Sequence, residues 1–261
     1  MLFPLMKVEG LEGWLDLVYQ GPNNWENRDK SRKYLHLIWS DGDRWKSSFL
    51  SEINYGERLA LSTNDLTPDQ ILNNLAVVYA SNSMLPSDLD KLPIEKTWVG
   101  DVPAWRASAG FRNSTAQVSY QAEVEPLPDK ASLMTFHPFI QFGEVENYLV
   151  VVNLRNDPVV ESAEIEVRNS YTGQDLGKAL IKSNSVTKIP LDGYGFQPTD
   201  LPIFICKTMA GIPFGLGTNK TGTMLSLEHT HPPASLVLFG DRRKVQSHIK
   251  NSWMESLGVG K

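Results

Sequence analysis

Two histidines separated by one residue, His229 and His231, are the side chains whose type and spacing point most directly to chemistry. Residues two apart on an extended strand face the same side, so two imidazoles placed this way could share a metal ion. Pro232 follows at once and biases His231 away from helix, which supports the extended geometry. A zinc or iron centre needs at least a third protein ligand. His137, in Phe136-His137-Pro138-Phe139, is the first candidate because it closes a neighbouring strand-like run, and His36, His248 and the carboxylates follow it. On this account the chain is a metal-dependent enzyme whose divalent transition metal keeps an open position for water or substrate. No full motif such as H-E-x-x-H accompanies the pair, so the plainer account is a strand-end loop stiffened by Pro232 and Pro233.

Tryptophan supplies a second kind of candidate. Six of the seven, Trp14, Trp25, Trp39, Trp45, Trp98 and Trp105, fall in the first 110 residues. Exposed aromatic faces stack on sugar rings and dominate binding hot spots. Trp98 and Trp105 flank the turn-like Gly100-Asp101-Val102-Pro103 and form the expected binding pair, with core packing as the competing account.

Other constellations are weaker. The run from Gly211 to Thr221 is glycine-rich and contains Lys220, but Asn219 stands where a phosphate loop has glycine and a strand-like run follows, so a flexible inter-strand loop is expected. Glu123 and Glu125 share one strand face and read as its wet side. Arg28, Lys30, Arg32 and Lys33, and again Arg242, Arg243 and Lys244, read as solvated basic faces. No Gly-x-Ser-x-Gly nucleophile elbow occurs. Cys206, the single cysteine, lies in the apolar run Ile203-Phe204-Ile205-Cys206, as a small buried hydrophobe does.

The elements that must position these residues are mostly strands. A chain of 261 residues with 41% hydrophobic content can build a sizeable core without staples. Its 25 basic and 30 acidic residues leave a net charge of −5, which argues against a nucleic-acid coat. No segment approaches the roughly 20 apolar residues of a membrane span. The N-terminus lacks the pattern of a signal peptide, so membrane insertion is not expected and the cytoplasm is the expected location.

From Thr115 to Val124 polar and apolar residues alternate strictly, as in a half-buried strand. Further strands are expected over 132–136, 148–154, 163–168, 185–189, 203–207, 223–229 and 235–239, separated by Gly, Pro, Asn and Asp. In the leader, Tyr34–Trp39 and Arg44–Leu50 flank Asp41-Gly42, which predicts a hairpin with a type I′ turn, and a third strand is expected over 57–62. Thr67-Pro68-Asp69-Gln70 followed by Ile71, Leu72, Leu75, Val78 and Tyr79 predicts a capped helix from Pro68 to Ala80. Asp241 predicts a second helix that turns Val245, Ile249, Trp253 and Leu257 inward.

The expected fold is mainly β: an antiparallel β-sandwich, Ig-like or jelly-roll-like, over 111–240. An aromatic-rich α+β region precedes it over 1–110, and a helix over 241–261 packs on it. A complete catalytic constellation is absent from the sequence while tryptophan-rich surface is offered. The favoured function is therefore a non-catalytic binding or accessory protein for a glycan or a protein surface, with no cofactor. The metal-dependent enzyme is the alternative, and a structural subunit docking through Trp253 comes third.

Overall fold

The computed structural model describes residues 2–20, 30–93, 105–127, 132–136 (backbone alone), 140–169, 172–200, 202–229, 248, 251–252 and 255–256. The chain divides into two compact units: 1–126 with the short stretches 156–160 and 184–186, and 127–155 with 161–183 and 187–261. The described residues are mainly β, and their strand pairings are antiparallel.

The first unit holds β1 (Leu2–Met6), β2 (Glu12–Tyr19), β3 (Lys33–Ser40), β4 (Trp45–Ile53), β5 (Arg58–Ser62), β6 (Leu75–Ser81), β7 (Asp88–Leu89), β8 (Trp105–Arg112) and β9 (Gln117–Gln121). They form two sheets, ordered β1-β6-β3-β4-β7 and β5-β2-β8-β9. β1 lies against β2 and β8, so the sheets face each other around Phe3, Leu15, Leu17, Tyr19, Trp105, Ala109 and Phe111, all buried. Period-two alternation along β2 sends Leu15, Leu17 and Tyr19 into this core and leaves Asp16 and Val18 half-exposed on the opposite side. The β3–β4 hairpin forms as the sequence predicts, but only Gly42 in its tip has positive φ (106°), so the turn is not of the I′ type. The Asp41 carboxylate instead holds it, accepting from the backbone N–H groups of Asp43 and Arg44 at 3.0 and 2.8 Å.

The helix expected over 68–80 is not formed. Its start signal is real, because the Gln70 side chain accepts from the Thr67 N–H at 2.9 Å, yet only a 3-10 turn over Asp69–Ile71 follows. Asn74, at φ 61°, then reverses the chain, and Leu75 to Ser81 run as β6 between β1 and β3, buried at every position. Val77, Val78 and Tyr79 suit a strand with two covered faces better than a helix, and tertiary pairing decides the matter. The leader is thus not α+β but a β unit in its own right among the described residues.

The second unit holds β10 (Ser132–Phe136), β11 (Val145–Asn153), β12 (Ser162–Asn169), β13 (Asp175–Lys182), β14 (Ser185–Pro190), β15 (Pro202–Cys206), β16 (Ile212–Asn219) and β17 (Leu225–His229). Its sheets are ordered β10-β15-β12-β13 and β14-β11-β16-β17. Leu149 and Val151 of the second sheet meet Ile165, Val167, Ile181, Phe204 and Cys206 of the first in one cluster, which is a β-sandwich arrangement. Cys206 is buried as its apolar neighbours imply.

The glycine-rich run is not a loop; most of it is β16, a central strand. Cross-strand register explains its composition: Pro213 and Gly215 stand opposite Val151 and Leu149 on the core face, where β11 supplies the bulk. At Gly217, which pairs with Ser226, a side-chain carbon would come within 2.5 Å of the Ser226 hydroxyl. The alternate residues Phe214 and Leu216, with Val150 and Val152, are buried on the other face.

Two of the expected elements fall wholly or largely on undescribed residues. The strand over 235–239 lies outside them. Of the helix from Asp241, only His248, Asn251, Ser252, Glu255 and Ser256 are described; they are exposed, and no helix is delimited there. Among the described residues no helix is long and apolar enough to cross a membrane.

His36 sits in β3 at 1% exposure. Its Nε2 accepts from the Leu85 N–H at 3.3 Å, and its Nδ1 lies 3.4 Å from the Ser47 hydroxyl, so the neutral ring carries its proton on Nδ1. Burial holds this imidazole below its ordinary 6.5. The unfolded chain then takes up a proton that the native chain refuses, so this contribution to stability is complete above that value and declines as pH falls below it. Denaturant titrations of the wild type between about pH 6.5 and about pH 5 should show stability falling with pH. His36→Gln should flatten that slope, and an unchanged slope would contradict the assignment.

Candidate functional site

The side of the β5-β2-β8-β9 sheet turned away from the first unit's core carries a polar array set by register. Where strands pair residue for residue, directly opposite side chains share a face. The pairings therefore lay out four rows: Arg58–Val18–Arg106, then Ala60–Asp16–Ser108–Gln121, then Ser62–Trp14–Gly110–Ser119, then Glu12–Arg112–Gln117. Gly110 is required in the third row, because any side-chain carbon there would lie 1.9 Å from the Val118 carbonyl oxygen. Within this array an open groove of about 500 Å³ is lined by Asp16, Val18, Arg106, Ser108, Ser119 and Gln121, with Ala107 and Tyr120.

Fixed charge pairs brace the face. Arg58 grips Asp16 with both arms of its fork, Nε donating to Oδ1 at 2.6 Å and Nη2 to Oδ2. Glu12 accepts from Arg112 at 2.5 Å and from the Ser62 hydroxyl. The Arg112 hydrogen bond, followed by that of Ser62, holds the Glu12 carboxyl below its ordinary 4.5. Burial pushes the Tyr120 phenol above its ordinary 10, so the hydroxyl keeps its proton throughout the neutral range. Hydroxyls, amides and guanidinium groups thus converge on one shallow depression, ready to exchange hydrogen bonds with a polyhydroxylated ligand.

The residues singled out from sequence lie elsewhere. Trp105 is a core residue at 2% exposure: it opens β8 opposite Tyr19, and the two rings stack at 4.2 Å and 15°. Phe3 packs on it at 6.0 Å. Trp105 therefore shows no face to solvent, and its intended partner Trp98 lies outside the described residues. Trp14 lies on the polar face but is 9% exposed.

His229 ends β17, half-buried, its ring 4.7 Å from that of Phe214 and its Nδ1 3.2 Å from the Pro213 carbonyl, to which it can only donate. His231 and His137 lie outside the described residues. Among the described residues no three His, Cys, Asp or Glu side chains are placed to hold a metal ion. Glu123 is half-buried, its carboxyl raised above 4.5 by burial, and Glu125 adds to this. Of the first basic cluster, Arg28 lies outside the described residues and the others are engaged locally: Lys30 lies over the Tyr55 ring, Arg32 pairs with Glu52 at 2.8 Å, and Lys33 is buried with its ammonium on Ser31 and Asn82.

The polar array itself was missed from sequence because β2 and β8 have no complete alternation of their own. Only the pairing of Glu12, Trp14, Asp16 and Val18 with Arg112, Gly110, Ser108 and Arg106 brings it together. Comparison with protein-family models, with curated proteins and with solved structures finds no match. Function has to be argued from this geometry alone.

As a core residue, Trp105 should cost about 3–5 kcal/mol of stability when cut to alanine. Chemical denaturation measures this, and a loss below about 1 kcal/mol would place the ring at the surface after all.

Proposed function

We propose that this chain is a non-catalytic binding protein that holds a glycan on the outer face of its β5-β2-β8-β9 sheet. One observation carries the reading: a groove of about 500 Å³ in a sheet face whose register rows present Ser, Gln, Arg and Asp side chains. Saccharides offer closely spaced hydroxyls that both donate and accept, and a braced polar sheet meets them without reorganising. A protein partner is less well served, because protein interfaces are anchored by exposed aromatic or aliphatic side chains at their centre. On this face Trp14 is 9% exposed and Val18 half-exposed, while the large exposed apolar side chains among the described residues of the first unit, Phe49, Leu72, Met84 and Val159, lie outside this sheet.

The test is a glycan-array screen of the full chain followed by calorimetric titration of the best ligand. Ser108→Tyr, which fills the groove, and Gln121→Ala, which removes an amide at its wall, should each weaken binding about tenfold or more, or roughly 1.4 kcal/mol. Phe49→Ser should leave affinity unchanged. A ligand whose affinity ignores both groove substitutions in folded protein would remove the proposal.

A further inference from the structure

We infer that two copies of this chain pair through the outer edge of β9, joining their β5-β2-β8-β9 sheets into one continuous sheet. β9 is the last strand of its sheet, and the bonds at its two ends fix which backbone groups face outward. The Ala122 N–H donates to the Ala107 carbonyl and the Asn113 N–H to the Ala116 carbonyl, each at 3.0 Å, so Val118 and Tyr120 turn their N–H and C=O groups toward β8. Gln117, Ser119 and Gln121 turn theirs away, and all three residues are exposed. Such an edge is a template for another strand, which proteins ordinarily blunt with charge, proline, a bulge or a very short strand. The other sheet-ending strands among the described residues are blunted: β5 carries Arg58, β14 Lys188 and Pro190, and β17 Glu228, while β7 has 2 residues, β1 is buried throughout and β10 is bulged. On β13 the Lys178 carbonyl receives the Tyr194 hydroxyl. β9 has none of these devices: Gln117-Val118-Ser119-Tyr120-Gln121 is uncharged, lacks proline and pairs with β8 without a register shift.

The occupant this edge fits is its own counterpart. A two-fold axis centred on Ser119 runs the two strands antiparallel and sets Ser119 against Ser119, and Gln117 against Gln121 of the second copy. These are the residues whose backbone groups face outward, so donors meet acceptors in phase and exchange about six hydrogen bonds. An axis falling between residues would oppose outward groups to inward ones, and one centred on Val118 or Tyr120 would shorten the overlap. Side chains match in the same register. On the polar face the Gln117 and Gln121 amides, each both donor and acceptor, stand opposite one another. On the other face Val118 meets Tyr120 of the second copy, a β-branched side chain against an aromatic one. Because β9 carries no charge, two chains of net charge −5 meet here without like charges directly opposed. A strand of 5 residues offers far less than the roughly 20–30 residues a side of a standard stable interface, so the pairing is reversible. It also lengthens the polar face, since Gln117 of the second copy stands beside Gln121 at the groove wall. The pairing does not depend on what the groove binds.

Sedimentation equilibrium of the full chain, from about 1 μM to about 500 μM, tests the pairing without any ligand. The mass should climb from the 29.2 kDa of one chain toward twice that value. Ser119→Pro removes the N–H at the centre of the seam, a change that an edge strand tolerates where that group faces solvent. Ser119→Lys spares the backbone and sets two ammonium groups against each other. Each should weaken the pair about tenfold or more, and the second carries the test if the first fails to fold. A short bismaleimide cross-linker reads the register, because the native Cys206 is buried. It should join Ser119→Cys chains to one another and leave Leu180→Cys chains, altered at an exposed position of β13, unjoined. A wild-type chain that stays monomeric throughout, a dimer indifferent to both Ser119 substitutions, or cross-linking at position 180 without cross-linking at 119 would each overturn the inference.

Discussion

Everything assigned to the first unit depends on the register of β2 against β5 and β8. That register pairs Tyr19 with Trp105 inside the core and Asp16 with Ser108 and Ala60 outside it. Side chains alternate with period two, so a slip of one residue would turn Leu15, Leu17 and Tyr19 toward water and bury Asp16. Such a slip would forfeit roughly 1.5–3 kcal/mol for each large side chain expelled and would strand a carboxylate in an apolar layer. The stacked Tyr19–Trp105 pair and the close approach at Gly110 lock the same alignment from opposite faces. The binding face and the core are two consequences of one pairing.

Charge placement then gives the outer face its character. A mixed lattice of exposed ion pairs stabilises little on its own. Here the Arg58–Asp16 fork and the Arg112–Glu12–Ser62 cluster do something different, because they fix donors before any ligand arrives. Ordering side chains in advance lowers the cost of binding. The second unit shows contrasting surfaces: Glu164 of β12 pairs with Lys178 of β13, and Glu166 of β12 pairs with both Arg168 and Lys207, the residue after β15, while β11 and β16 carry buried apolar side chains on each face.

Much of the architecture was legible in the sequence, and the failures have physical causes. Turn residues and alternating runs marked β10, β11, β12, β14, β15 and β17 of the second unit closely, whereas β13, Asp175–Lys182, went unexpected. Glycine misled at β16, where small residues read as loop until the bulk of Leu149 and Val151 opposite them is known. At Thr67–Gln70 the local capping bond exists, but a helix start and a 3-10 turn share that signal, and only the pairing of β6 with β1 and β3 distinguishes them. The site was less legible. Tryptophan content pointed to binding, yet Trp105 spends its ring on Tyr19 and Phe3. The polar array is spread over four strands, from Glu12 to Gln121, with no local motif. Neither chemistry nor spacing announces such a site until the sheet is assembled.

The central claim is that the rows around Asp16, Ser108, Arg106 and Gln121 form the surface that meets ligand. Amide chemical-shift mapping of the isotope-labelled chain during titration with the best ligand from the glycan array tests it most directly. Perturbations concentrated on β2, β8 and β9, together with movement of the Arg106 guanidinium resonances, are the predicted result. Perturbations confined to the second unit, with those three strands silent at saturation, would contradict it.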